Sequence, residues 1–240
     1  PGELTLLAGG PPCQPFSKSG YWATGDTERL KDPRAQTLKA YLDIVRYAQP
    51  ETILLENVKG IAYSYKDEGL QLFIRMLKKI NETEKTNYQP YVITINAADY
   101  GVPQSRERVF IIASRAGIQF TLPAPTHKDP EKASGEGQRH LTAWDAIGDL
   151  DNDIWLDELK PTGKWADLLP TIPEGQNYLW HTEKMGGLPL FGWRTRFWSF
   201  LLKLAKDKPS WTIQAQPGPA TGPFHWKGRL LSIQELARLQ

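Results

Sequence analysis

Three short runs in this 240-residue chain combine residue types that could do chemistry together. Pro12-Cys13-Gln14 sets the chain's single thiol in a loop bounded by glycine and proline, where nearby cations would favour the nucleophilic thiolate. Glu56-Asn57-Val58 puts a carboxylate at the end of an apolar run. Gln104-Ser105-Arg106-Glu107-Arg108 carries two guanidinium groups, Arg106 and Arg108, at a spacing that directs both to one face of a strand. Singly, each run has an ordinary alternative. A lone cysteine is commonly a buried filler, a carboxylate at a strand end is commonly solvated or salt-bridged, and two such arginines either hold an anion or line a solvated face.

The elements that would position these runs alternate strand and helix. Leu4 to Ala8 is a short apolar run ending at Gly9-Gly10-Pro11, the pattern of a buried strand entering a loop. In Gln36 to Ala48, Leu38, Tyr41, Leu42 and Val45 fall at i, i+3, i+4 and i+7 and predict a helix that ends before Pro50. Thr52 to Leu55 is a second buried strand. Asp67 then stands where an N-cap would precede a helix with Leu70, Phe73, Ile74 and Leu77 on one side. Tyr91 to Asn96 and Arg108 to Ser114 form a last pair of strand-like runs, joined by a loop with Gly101 and Pro103. The order predicts an α/β fold: part of a mostly parallel sheet with helices on its faces, whose ligands gather beyond the carboxyl ends of the strands. All three chemical runs sit at or beside such ends.

The chain changes character after residue 115. Residues 1–115 carry a net charge of +2, residues 116–183 carry −7 and residues 184–240 carry +7. Eight of the nine tryptophans lie beyond residue 140. A cationic, aromatic segment after an acidic one is either a nucleic-acid surface or the intramolecular match of its acidic neighbour. Pattern predicts one helix here, Arg194 to Ala205, with Phe197, Leu201 and Leu204 inward. Ser232-Ile233-Gln234-Glu235 has capping-box spacing and predicts a final helix from about Ile233.

Composition narrows the class. Hydrophobic residues at 40% and charged residues at 23% are globular values and exclude a disordered, coiled-coil or collagen-like chain. No apolar stretch approaches the roughly 20 residues that a membrane helix needs, so no membrane partner is expected. With no secretory signal pattern and one cysteine, the chain is expected in a reducing, intracellular compartment.

Taken in order, the three runs and the late block Arg229-Leu-Leu-Ser-Ile-Gln-Glu-Leu-Ala-Arg-Leu-Gln240 resemble the DNA (cytosine-5)-methyltransferase family of bacterial or archaeal restriction-modification systems. The resemblance implies the later strands of a Rossmann-like methyltransferase sheet over residues 1–115. A small irregular, partly β target recognition region would follow over 116–228, and residues 229–240 would begin a helix returning to the catalytic domain. It further implies the reaction. Cys13 adds to C6 of a flipped-out cytosine, because C5 is a poor nucleophile until that addition makes the ring an enamine. Glu56 contacts N3 and the exocyclic amine, Arg108 contacts O2, and Arg106 is a structural or anion-orienting neighbour. Pro12 would lie beside the methyl group of S-adenosylmethionine, with no metal required. The stretch from Phe16 to Asp32, with Ser17 toward DNA, matches a mobile loop that closes beside the cysteine. Arg194, Arg196, Lys227 and Arg229 would reach phosphates or base edges of double-stranded DNA.

The family's Phe-x-Gly-x-Gly loop, the acidic residue after its second strand and its closing Gly-Asn block have no match in these residues. Most of the cofactor site is therefore expected outside this chain, on the same polypeptide or a partner subunit. A cognate restriction endonuclease is a further expected partner, and the cytoplasm, with nucleoid DNA, is the expected location. Three other classes compete with this one. A zinc deaminase needs Pro-Cys-x-x-Cys and fails on a single cysteine. A binding-only or regulatory DNA-binding relative would keep the fold without the chemistry, and a tRNA cytosine-5 methyltransferase would apply the chemistry to RNA.

Overall fold

The computed structural model describes residues 1–11, 36–59, 68–131, 137–151 and 157–240. In the helix Gln36–Ala48 (α1), Leu38, Tyr41, Leu42 and Val45 are buried, the face that their spacing predicts. The helix Glu68–Glu84 (α2) adds Phe73, Leu77 and Ile80 to the same core. The expected cap at Asp67 lies outside the described residues. The strands are Leu6–Gly9 (β1), Thr52–Val58 (β2), Tyr91–Asn96 (β3), Gln104–Ser105 (β4) and Glu107–Ser114 (β5). Four of them form a sheet in the order β1-β2-β5-β3.

Alternation along β2 and β5 divides that sheet into two unlike faces. Ile53 and Leu55 of β2, with Val109, Ile111 and Ala113 of β5, are buried against the helix side chains and Tyr88. Each large side chain so buried contributes about 1.5–3 kcal/mol. The intervening residues, Leu54, Glu56, Phe110 and Ile112, lie on the opposite face and are only partly buried. The Tyr41 hydroxyl lies 3.1 Å from the Leu7 carbonyl and 3.2 Å from that of Leu54, tying α1 to both β1 and β2.

The sheet is less parallel than expected. β1 runs parallel to β2, but β5 enters between β2 and β3 and runs antiparallel to β2. The link from β3 holds a 3₁₀ turn, Ala97–Tyr100, and β4, without the crossover helix that a parallel connection needs.

The chain divides into two compact units, Pro1–Ile95 with Glu107–Ala124 and Asn96–Arg106 with Pro125–Gln240. The second unit has little regular structure. Its short strands are His127–Lys128 (β6), paired with Gln138–Arg139 (β7), and Ser210–Trp211 (β8), paired with β4. Its α-helices among the described residues are Ala143–Ile147 (α3) and Ile233–Arg238 (α4). Two apolar clusters hold it: Leu169, Ile172, Tyr178, Phe191, Phe200, Leu201 and Phe224, and a smaller one around Ile147, Leu204, Trp226 and Leu239.

The helix expected at Arg194 to Ala205 does not form. Arg194 and Leu201 have left-handed backbone, at φ 58 and 54, and isolated bridges join Phe200 to Thr221 and Lys203 to Phe224. Leu201 and Leu204 are buried as expected, but Phe197 is exposed. The capping box at Ser232 forms: Glu235 N–H donates to the Ser232 hydroxyl at 3.2 Å, and Ser232 N–H to the Glu235 carboxylate at 2.7 Å. Among the described residues no helix is long and apolar enough to cross a membrane.

Candidate functional site

Glu56 is part of β2 rather than a residue just beyond it, and register explains its partner. Glu56 stands opposite Phe110 and Val58 opposite Arg108, so Glu56 and Arg108 are diagonal neighbours on one face of an antiparallel pair. Arg108 Nε lies 2.9 Å from Glu56 Oε1, with side-chain exposures of 18% and 39%. Arg108 Nη1 also donates to the Glu107 carbonyl at 2.8 Å, which fixes the guanidinium plane. Lys59 and Glu107 form a second, more exposed ion pair at 2.9 Å, where β2 ends and β5 begins. An acid and a cation thus stand side by side at the carboxyl end of β2, an arrangement able to engage two adjacent polar atoms of a ligand edge.

Asn57, on the buried face, performs a task that the sequence reading did not assign. Its Nδ2 donates to the Pro11 carbonyl at 3.1 Å, and its Oδ1 accepts from Val58 N–H at 2.9 Å. It is 4% exposed and pins the chain two residues before Cys13. Gly10 closes the same corner, since a Cβ there would meet Glu56 Oε2 at 3.3 Å. The signal was present as the middle residue of Glu-Asn-Val, an amide beside a carboxylate at a strand end. Pro12, Cys13, Ser17 and the expected closing loop lie outside the described residues.

Arg106 does not share the strand of Arg108. It falls between β4, which pairs with β8, and β5, which pairs with β2, so strand alternation does not run through it. Its backbone N–H donates to Asn96 Oδ1 at 3.0 Å, and its carbonyl accepts from Ala97 N–H at 3.0 Å. Gln104, at 2% exposure, donates from Nε2 to the Leu239 carbonyl at 2.9 Å and anchors the last helix within the second unit.

The four cations expected on DNA separate into two kinds. Arg194 and Arg196 are exposed. Arg229 is 3% exposed, and its guanidinium is spent inside the fold on both oxygens of Glu235, at 2.8 and 2.7 Å, and on the Leu230 carbonyl at 2.9 Å. Its observed role is to hold Glu235 and the Leu230 carbonyl inside the second unit. Lys227 Nζ lies 2.8 Å from Asp151, so it too is committed within the second unit.

That interior network includes His225, fully buried between Asp151, Glu235 and Arg229. Burial, reinforced by the Arg229 charge, pushes the imidazole down to about 4, so it is neutral near pH 7. Its Nδ1 accepts from Lys227 N–H at 3.1 Å, while Nε2 lies 3.5 Å from Glu235 without a hydrogen bond. Burial alone would raise the Glu235 carboxyl, but Arg229 and the Ser232 N–H hold it below its ordinary value. Among the described residues no group of three or more His, Cys, Asp or Glu side chains is arranged to hold a metal ion.

A family model described as C-5 cytosine-specific DNA methylase matches residues 1–240. The type II methyltransferase M.SacI of Streptomyces achromogenes is 41% identical over 237 residues, covering 95% of this chain and 57% of its own length. M.NgoFVII of Neisseria gonorrhoeae, also a type II methyltransferase, is 31% identical over 244 residues, covering 99% of this chain and 60% of its own. The chain thus spans a little over half the length of these relatives. Among solved structures, a prophage-encoded E. coli protein assigned as a DNA modification methyltransferase superposes with a TM-score of 0.50. It is 20% identical, with 98% of this chain and 67% of that one covered, and it shows that the mixed α/β fold is shared.

Proposed function

The chain belongs to the C-5 cytosine-specific DNA methylase family, and from that membership we propose that it methylates C5 of a cytosine flipped out of a specific duplex DNA sequence, through a covalent adduct of Cys13 at C6. The observation that carries the reading is the ion pair of Glu56 and Arg108 at the carboxyl end of β2. Cytosine presents N3 and O2 as neighbours on one edge. Addition of the Cys13 sulfur to C6 forms the S–C bond and shifts the ring's electron pair toward C5, leaving charge at N3 and O2. A carboxyl group hydrogen-bonded to N3 and a guanidinium at O2 would stabilise that charge, and the two groups already stand at hydrogen-bond distance. After C5 is methylated, a base, with water as a candidate, removes the C5 proton. The S–C6 bond then breaks as the 5,6 double bond returns.

S-adenosylmethionine, the methyl donor under this reading, supplies an electrophilic methyl group. The described residues do not compose a site for it. At the ends of β1 and β2 the polar side chains already have partners within this chain, Glu56 in Arg108 and Asn57 in Pro11 and Val58. The partly buried apolar face of the sheet, with Leu54, Phe110 and Ile112, supports a cofactor-binding half packed against it, on the same polypeptide or a partner subunit.

Under the same reading residues 1–115 do the chemistry, residues 116–228 recognise the target and residues 229–240 begin a closing helix. The protein would act on cytoplasmic, nucleoid DNA, with a cognate restriction endonuclease as the natural counterpart. The test is Cys13→Ser in the natural full-length protein, which should abolish methyl transfer to duplex DNA while leaving DNA binding intact. Unchanged turnover would refute the covalent route.

A further inference from the structure

Between Lys184 and Lys206 the sequence contains no aspartate or glutamate. Elsewhere the second unit pairs many of its cations with carboxylates: Arg139 with Asp145, Lys227 with Asp151, Arg229 with Glu235, and Arg238 with Asp149. Lys184 and Arg194 instead lie 4.8 and 5.9 Å from the ring centre of Trp193, and Arg196 lies 5.6 Å from that of Phe200. Every residue from Gly192 to Trp198 is exposed, Trp193 by 40% and Phe197 and Trp198 by 54% each. Cations without a carboxylate partner, two of them beside the exposed Trp193 ring, suit a partner that is both anionic along its backbone and built of stacked aromatic rings.

The same segment is held firmly from below. Phe191 and Phe200, its two flanks, are buried in the aromatic cluster with Tyr178. The Tyr178 hydroxyl clamps one residue of the tip twice, donating to the Arg196 carbonyl at 2.9 Å and accepting from Arg196 N–H at 3.1 Å. Asn177 Nδ2 donates to the Trp198 carbonyl at 2.8 Å, and Thr195 Oγ1 to the Gly192 carbonyl at 2.8 Å. Arg194 has left-handed backbone, and a Cβ at Gly192 would meet Thr195 Cγ2 at 2.8 Å, so a larger residue there would displace the Thr195 side chain. The backbone is fixed while the side chains are displayed, as a reading element requires.

The displayed rings are not equivalent. Trp198 packs edge-on against Trp211 at 5.6 Å and Phe197 against Phe200 at 5.6 Å. Trp193 has no ring partner among the described residues and is flanked by two cations.

We infer that Gly192–Trp198 is the element that reads base sequence in duplex DNA, with Trp193 as the specificity-determining side chain, Arg194 as a phosphate contact beside it and Tyr178 as the positioning residue that holds the tip in register. This rests on the proposed action on duplex DNA. Charge complementarity selects the occupant, since the exposed tip carries Arg194 and Arg196 for phosphates and the part-exposed Trp193 ring for the groove between them.

The experiment uses the natural full-length protein, a duplex that the wild type enriches from a random pool, a scrambled duplex and an RNA hairpin of equal length. Trp193→Ala should lower the ratio of selected to scrambled affinity by roughly tenfold or more. Arg194→Ala should weaken both duplexes alike and flatten the salt dependence of binding by about one unit of log–log slope. Tyr178→Phe keeps the ring in its cluster and should lower the same ratio without weakening the scrambled duplex, a split that general loss of structure would not produce. A wild type that enriches duplexes while Trp193→Ala and Tyr178→Phe keep its ratio overturns the inference alone. A wild type that enriches no duplex, or prefers the hairpin, overturns the duplex-DNA reading and the inference with it.

Discussion

Arg108 and Glu56 meet at 2.9 Å across two antiparallel strands because Val58, not Glu56, is the direct partner of Arg108. The diagonal leaves both head groups on the partly exposed face of the sheet, where an ion pair contributes about 0–1 kcal/mol to folding. A pair so weak for stability but so placed at a strand end should matter chiefly for chemistry. Glu56→Gln is expected to slow single-turnover methyl transfer by about 10²–10⁴-fold, with an unfolding free energy close to the wild type. A variant that unfolds readily yet turns over normally would reverse that assignment.

Asn57 lies on the opposite face, and its amide joins the end of β2 to the Pro11 carbonyl. Asn57→Ala leaves that buried corner without its donor and should cost about 1–3 kcal/mol in denaturant unfolding. The rate of adduct formation at Cys13 should fall as well, because the chain two residues ahead of it loses its anchor. Stability lost with the adduct rate unchanged would restrict Asn57 to folding.

Breaking the buried pair of Arg229 and Glu235 differs from removing it. Arg229→Met leaves an uncompensated carboxylate at 1% exposure, with an expected loss of about 3–5 kcal/mol. The double variant Arg229→Met, Glu235→Met should recover part of that loss, although it gives up the capping box at Ser232. Chemical denaturation of the single and double variants measures the difference. A double variant less stable than the single one would mean that the cap outweighs the buried charge.

His225 makes the second unit acid-sensitive. Its folded value of about 4 lies below the ordinary 6.5, so the unfolded chain binds more protons between those limits. Stability is therefore complete above about pH 6.5 and is lost as pH falls toward 4, by roughly 2 kcal/mol between pH 7 and pH 5. Asp151 and Glu235, both held below their ordinary values, extend the loss in the same direction at lower pH. Urea midpoints of the wild type and His225→Gln across this range should converge at pH 5 relative to pH 7. A parallel pH dependence in the two proteins would exclude His225 as the source.

Local patterns carried most of the first unit, but Leu4 and Leu6, in a run that reads as a buried strand, are exposed at 41% and 48%, before and in β1. The spacing of Leu38, Tyr41, Leu42 and Val45 located α1, and the runs Thr52 to Leu55 and Arg108 to Ser114 located the two central strands. What sequence could not supply was pairing between distant segments. The antiparallel entry of β5 between β2 and β3 follows from which strands meet, and the diagonal of Glu56 and Arg108 follows from that register. In the second unit, Phe197, Leu201 and Leu204 imitated a helical stripe. Left-handed backbone at Arg194 and Leu201 and bridges to Thr221 and Phe224 overrode it. The charge of Arg229 is visible in sequence, whereas the carboxylate it pairs with is a matter of packing. Asn57 was visible as a residue and hidden as a function, since its partner Pro11 is far away in sequence.

A duplex carrying 5-fluorocytosine at the target position, offered with S-adenosylmethionine to the natural full-length protein, probes the covalent route directly. Fluorine at C5 leaves no proton to remove, so the thiol cannot be eliminated after methyl transfer. The expected result is a denaturant-stable protein–DNA adduct that maps to Cys13 and disappears in Cys13→Ser. An adduct that persists in Cys13→Ser, or methylation of the unmodified duplex with no adduct on the fluorinated one, would contradict it.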